Sequence, residues 1–258
     1  MTGSTAYRRF WQRVGERFPD LGGAASTTYY RANEERLLRD HFGPLRGARL
    51  MKTDLWDEAR NTRILAWAAA AGASVHGIDL SPPIARDAVR ELGPGVLHAV
   101  VSDVRSLPYP DATFDLIYSM GTVEHFDETA EALAEICRVL KRGGRAIVGV
   151  PNRHDPFLRP LFVAVLYRLG LYGYGFEKSY SRRRLRAMLV EAGFQVVAET
   201  GILFMPGYLR MADLAAHTWC PPLTWITAPL VRLFAWIDAR VPRVRRHGYL
   251  LATVVTRE

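Results

Sequence analysis

The chain has 258 residues, 49% of them hydrophobic, with a net charge of +8 and a pI near 9.8. That suits one domain with a sizeable core and a small cap, and no apolar run reaches the ~20 residues of a membrane span. Cys137 and Cys220 lack disulfide or metal spacing, and the opening MTGSTAYRRFWQRVGERF lacks a signal-peptide core, so a reduced, cytoplasmic protein is expected.

Residues 1–46 are polar and aromatic and read as two helical pieces. ARLMKTD (48–54) reads as a first strand, and the alanine-rich DEARNTRILAWAAAAG (57–72) as a helix stopped by glycine. SVHGIDLS (74–81) is a buried strand, and PPIARDAVRELG the helix after it, with prolines in the first turn. VLHAVVSD (96–103) and FDLIYSMG (114–121) are the third and fourth strands. ETAEALAEICRVLKRGG (128–144) is an amphipathic helix, and RAIVGVPN (145–152) the fifth strand. SRRRLRAMLVEAGF (181–194) is a helix with Ser181 as N-cap, and QVVAET (195–200) and YLLATVV (249–255) are the last strands. Alternating strands and helices predict an α/β fold, a Rossmann-like, doubly wound, mostly parallel seven-stranded sheet with helical cap insertions. The expected organisation is a helical cap over 1–46 and a main domain over 47–258. Insertions at about 153–180 and 201–247 form a cap over the acceptor.

Three motifs lie inside the repeat: GIDLS (77–81), SDVRSLPYPDATFDLIYSMGTVEHF (102–126) and LKRGGRAIVGVPN (140–152). They resemble the class I S-adenosylmethionine-dependent methyltransferases, above all the quinone-biosynthesis and natural-product types. The resemblance covers most of residues 46–200. It implies S-adenosylmethionine as cofactor and a small-molecule acceptor.

Ligands of open parallel sheets bind beyond the carboxyl ends of the strands, where strand order reverses. Asp79 ends the second strand, with Leu80 beside it, and its carboxylate can accept from both ribose hydroxyls; it also suits a helix N-terminus. The resemblance implies that Asp103 and the Val104 N–H read the adenine edge, though Asp103 also suits a turn. It also implies that Ser119, Met120 and Gly121 lie at the methionine part and the sulfonium.

The first turn departs from the family. Relatives carry a glycine-rich D-x-G-x-G-x-G there, and this chain has KTDLWDEA. Thr53, Asp54 and the backbone at Leu55 and Trp56 can still hold the methionine end, Asp54 accepting from the ammonium, with Asp57 and Glu58 capping the following helix. The alternative is a cofactor-free binding or scaffold protein on a methyltransferase fold. A dehydrogenase would need G-x-G-x-x-G at this turn.

Methyl transfer depends on positioning and water exclusion, and an oxygen acceptor of high pKa also gains from a base. His125 in VEHF is the candidate base, or a capping histidine; His154 and Tyr180 are weaker candidates. Quinone-type relatives that bind a divalent metal carry an extra acid where this chain has Gly121, so no metal is expected. There is no N/D-P-P-Y motif and no nucleic-acid-binding motif.

Residues 181–258 hold eleven arginines against five acids, so six of the eight net charges lie there. Leu158, Leu161, Phe162, Val165, Leu166 and Leu169 form one helical stripe, and Ile226, Leu230, Phe234 and Ile237 another; Trp225 and Trp236 lie off it. Both stripes suit a cap packed on the core, or a basic amphipathic surface lying on anionic membrane with a lipid-like acceptor.

Overall fold

The computed structural model describes residues 4–258, apart from the side chains of residues 4–6 and 17; the first three residues of the predicted cap lie outside it. Two helices, α1 (Ser4–Arg17) and α2 (Ala25–Phe42), precede the sheet. The strands are β1 (Arg49–Lys52), β2 (Ser74–Asp79), β3 (Leu97–Val101), β4 (Phe114–Met120), β5 (Leu140–Pro151), β6 (Phe194–Ile202) and β7 (Leu250–Arg257). They form one sheet in the order β3-β2-β1-β4-β5-β7-β6, with only β7 antiparallel to its neighbours. Strand order reverses between β1 and β4, which fixes where a ligand crevice opens.

Successive residues of a strand point to opposite faces, so each inner strand feeds two cores. Leu50, Val75, Tyr118 and Ile147 face the core with α2. Met51, Ile78, Ile117 and Val148 face the other, with the helix α6 (Thr129–Val139) and the helix α8 (Arg182–Glu191). Each such side chain contributes about 1.5–3 kcal/mol by leaving water.

The predicted helix over 57–72 is two helices, α3 (Trp56–Arg60) and α4 (Ile64–Ala70). Arg63 takes a left-handed conformation between them, at φ 54°. The break has local causes. Glu58 accepts from the Leu65 N–H (3.0 Å) and so caps the start of α4, while Asn61 donates to Asp57 (2.6 Å) and accepts from Thr27 (2.7 Å). Asp57 and Glu58 therefore do not cap α3 as expected.

The helix expected to reach 144 stops at Val139, and Leu140–Gly144 belong to β5. The helix α5 (Pro82–Leu92) carries its prolines in the first turn, and Ser181 caps α8 by accepting from the Arg184 N–H (3.2 Å).

The two non-repeat segments supply α7 (Arg159–Arg168), α9 (Gly207–Trp219) and α10 (Thr224–Arg240). Buried Asp213 ties α9 to α2 and α10, accepting from the Ser26 N–H (2.8 Å) and the Thr227 hydroxyl (2.9 Å). Neither apolar stripe packs as a core face. In α7 only Arg159 and Val163 are buried, and Leu161 is 63% exposed. In α10 the packed residues are Thr227, Val231 and Asp238, flanked by Phe234, while Ile226 and Leu230 are exposed. Helical period names a face but not what covers it.

Candidate active site

A cavity of about 180 Å³, open to solvent, lies at the carboxyl end of the sheet. Its walls come from the ends of β1, β2, β3 and β4, from α1, from the 172–177 loop and from α9. Of the residues singled out in the sequence, Thr53, Asp54, Asp79, Leu80, Asp103, Val104, Met120, Gly121 and His125 line it.

Leu55 and Ser119 stand one layer behind. Leu55 is fully buried, and its side chain fills the space above Gly77, where a Cβ would come within 2.3 Å of it. A glycine in β2 thus makes room for the leucine of a turn that has no glycine. Ser119 is buried and accepts from the Thr53 hydroxyl at 2.9 Å. His154 and Tyr180 do not line the cavity. His154 lines a separate basic hollow with Arg182 and Arg246, and Tyr180 is in the core, its hydroxyl 3.1 Å from that of Thr129.

The acidic turn is built around one cation. The Lys52 side chain is fully buried, with Nζ 3.4 Å from Asp54, 3.6 Å from Asp57 and 3.6 Å from Glu58. Burial alone would lower its pKa, but these carboxylates and Glu34 outweigh that and hold it above its ordinary value. Burial pushes the acids up: Glu58 to about 7, and Glu34 well above the usual range. Glu34 also accepts from the Tyr118 hydroxyl at 2.9 Å. Asp54 is raised chiefly by burial, against the pull of Lys52. It faces the cavity and accepts from Thr122 at 3.1 Å.

Asp79 bridges the turn and β2, accepting from the Leu55 N–H (2.9 Å) and the Ser81 N–H (2.7 Å). Each carboxylate oxygen keeps a lone pair for another donor. Burial raises Asp79 to about 7. Asp103 is clasped by Arg105, whose Nε and Nη2 donate at 3.0 and 2.6 Å and whose backbone N–H donates at 3.0 Å. Three donors on four lone pairs leave room for one more, enough for an exocyclic amine. Despite the cost of burial, this clasp holds Asp103 below its ordinary pKa.

His125 Nδ1 lies 2.9 Å from the Phe176 carbonyl. A carbonyl accepts only, so Nδ1 carries the proton and the neutral ring leaves Nε2 as an acceptor. Burial lowers the His125 pKa, which keeps the ring neutral, and Trp11 of α1 packs edge-on at 4.9 Å.

Several wall residues were not singled out in the sequence. Glu124 is buried beside His125 with Oε2 unpartnered, and burial pushes its carboxyl well above the usual range. Arg159 is paired with Glu177, which also accepts from the Tyr172 hydroxyl at 2.6 Å. Arg210 lies over the Tyr30 and Tyr249 rings. VEHF placed Glu124 one residue from a candidate. An arginine amid the apolar GYLRMADL was the only sequence signal for Arg210.

Residues 58–148 match a family described as a methyltransferase domain. The malonyl-[acyl-carrier protein] O-methyltransferase of Pseudescherichia vulneris is 38% identical over 100 residues, covering 38% of this chain and 39% of that protein. The demethylmenaquinone methyltransferase of Thermus thermophilus is 31% identical over 148 residues, covering 49% of this chain and 66% of that protein. The chain spans 39% and 38% of the length of the first curated relatives it matches. A solved S-adenosylmethionine-dependent methyltransferase of Mesorhizobium loti is alike in fold, with a TM-score of 0.60 at 17% identity, over 92% of this chain and 100% of that one.

Proposed function

We infer that this chain, which belongs to the class I S-adenosylmethionine-dependent methyltransferase superfamily, methylates an oxygen of a small, hydrophobic or lipid-like acceptor. One observation carries this reading: the acids that follow three adjacent strands, Asp54, Asp79 and Asp103, line a single cavity at the strand-order reversal. The donor set fits the cofactor, with acceptors for amine, ribose and ammonium groups. When bound, S-adenosylmethionine supplies an electrophilic methyl on a sulfonium.

In this reading Asp79 accepts from the ribose hydroxyls, and Asp103 with the Val104 N–H holds the adenine edge. Asp54 accepts from the ammonium. Met120 and Gly121 border the reacting centre. Gly121 has φ 76°, a left-handed conformation that glycine adopts without strain. His125 takes the acceptor proton at Nε2, and Glu124 stands beside it on the cavity wall. Trp11, Trp56, Tyr172 and Tyr174 give the acceptor an aromatic wall that excludes water. The menaquinone-directed name of one relative favours an apolar acceptor, and the O-methyltransferase name of another favours oxygen.

Asp54→Asn tests the assignment at the turn. The variant should bind S-adenosylmethionine about fivefold or more weakly, since a carboxylate in a closed pocket attracts a cation strongly. Adenosine, which lacks the amino-acid end, should bind as before. Equal weakening of both would make the turn purely structural.

A membrane-facing surface is a second part of the proposal, supported by the exposed apolar residues of α7 and α10. Trp225 is 86% exposed, and Leu161, Val165, Leu233 and Trp236 are exposed with it. Phe157, Phe204 and Phe234 pack the start of α7 against α10, so both helices belong to one cap. Arg232, Arg240, Arg243 and Arg246 are exposed and suit anionic headgroups. Arg245 does not join them, because it pairs with buried Asp238 at 3.2 Å. No helix of the described residues is long and apolar enough to cross a membrane. Vesicles containing anionic lipid should therefore sediment the protein at low salt, with release as salt rises. Arg243→Gln with Arg246→Gln should release it at lower salt and leave cofactor affinity unchanged. No sedimentation at low salt would contradict the membrane contact alone.

A further inference from the structure

The glycine-free turn leaves one charge of the cofactor unanswered. S-adenosylmethionine ends in an amino acid, an ammonium beside a carboxylate. The turn offers the ammonium Asp54, but its other acids, Asp57 and Glu58, repel a carboxylate. Its own cation, Lys52, is fully buried beneath those acids and does not line the cavity. Bare backbone N–H groups are the usual answer to an anion at such a turn. Here the Leu55 N–H is already given to Asp79 at 2.9 Å. No cationic side chain of the turn faces the cavity, so a cationic side chain there has to come from elsewhere in the fold.

Among the described residues, two arginines line the cavity, Arg159 and Arg210. Arg159 is neutralised by Glu177. The Arg210 guanidinium forms no ion pair or hydrogen bond among the described residues, and its buried Nε has no partner. It is nevertheless held in place, with the guanidinium 5.0 Å from the Tyr30 ring centroid and 5.6 Å from that of Tyr249. Asp57 faces the same space from the turn, but its carboxylate is engaged by Asn61 (2.6 Å) and Lys52 (3.6 Å). Arg210 is half-buried and no carboxylate pairs with it, so an anion brought by a ligand finds the guanidinium donors free.

We propose that Arg210 holds the α-carboxylate of S-adenosylmethionine, so that Asp54 and Arg210 grip the two opposite charges of its amino-acid end. The inference rests on the cofactor reading above. A planar guanidinium fork matches a carboxylate, and the stacked tyrosines fix the plane in which the fork presents its donors. An arginine from α9 then does what glycine-freed backbone does in relatives, and the turn is free to be acidic. The placement of α9 at the cavity becomes part of cofactor recognition.

Decarboxylated S-adenosylmethionine lacks only the carboxylate, so it isolates this contact. By calorimetry, the wild-type protein should bind S-adenosylmethionine at least tenfold more tightly than the decarboxylated form. Arg210→Met should abolish that preference while binding the decarboxylated form as wild type does, and Arg210→Lys should restore part of it. The wild-type comparison needs no variant, so a poorly folded Arg210→Met leaves the proposal testable. Wild type binding both forms equally, or Arg210→Met weakening both equally or keeping the preference, would overturn the assignment and leave the cofactor reading standing. Wild type binding neither form would overturn the cofactor reading, and this inference with it.

Discussion

Replacing Lys52 with methionine should lower the melting temperature by about 10 °C at pH 8, the equivalent of roughly 3–5 kcal/mol for breaking a buried charge network from one side. The fully buried ammonium is the one cation within 3.6 Å of Asp54, Asp57 and Glu58 among the described residues, and Glu34 faces it too. Without it these acids are buried together unpaired, and each escapes only by taking a proton. The loss should therefore depend on pH, and the sign follows from the shifts. Burial already raises Glu58 to about 7, and raises Asp54 and Glu34. Acids with raised folded pKa values stabilise the fold while protonated and lose that contribution as pH rises through the folded value. The gap between variant and wild type should be small near pH 5.5 and widen towards pH 8. A variant melting within a degree or two of wild type at pH 8 would show that Lys52 is not the keystone of the turn.

Replacing Asp79 with alanine should weaken S-adenosylhomocysteine by about tenfold or more, through loss of charge-assisted bonds from two hydroxyls. Asp79 also predicts a pH dependence. Burial holds it at about 7 in the free protein, whereas hydroxyl donors favour the carboxylate in the complex. Binding below pH 7 must then release a proton, so affinity should rise about tenfold between pH 6 and pH 8. In Asp79→Asn the rise should flatten, which separates Asp79 from the other raised acids of the turn. The same shift means that the free protein loses stability contributed by Asp79 as pH rises from about 4 through 7. Unchanged affinity in a folded Asp79→Ala protein would remove the ribose assignment.

The sheet was legible because its strands are short, apolar and separated by helices with clear stops. Ser74–Asp79 and Phe114–Met120 differ from their predicted ends by two residues or fewer. The position of the strand-end acids at the cavity was legible too, since residues at the carboxyl ends of parallel strands stand on the ligand side of the sheet. Contacts between distant residues were not. Lys52 reads as an ordinary strand-end lysine until Glu34, from a helix before the sheet, is placed beside it. Arg210 reads as a surface arginine until Tyr30 and Tyr249 enclose it. The break at Asn61–Arg63 was hidden because the alanine-rich run is helical on both sides of it, and only the Glu58 bond to Leu65 shows where a second helix starts.

The central claim is that a turn without glycine still holds the amino-acid end of the cofactor. Calorimetry of the wild-type protein with S-adenosylhomocysteine and with adenosine tests it most directly. One site per chain is expected, with S-adenosylhomocysteine bound at least tenfold more tightly than adenosine, because only the former has charges for the turn and Arg210 to grip. Equal affinities would contradict it, and no binding of either would leave a scaffold that has given up its cofactor.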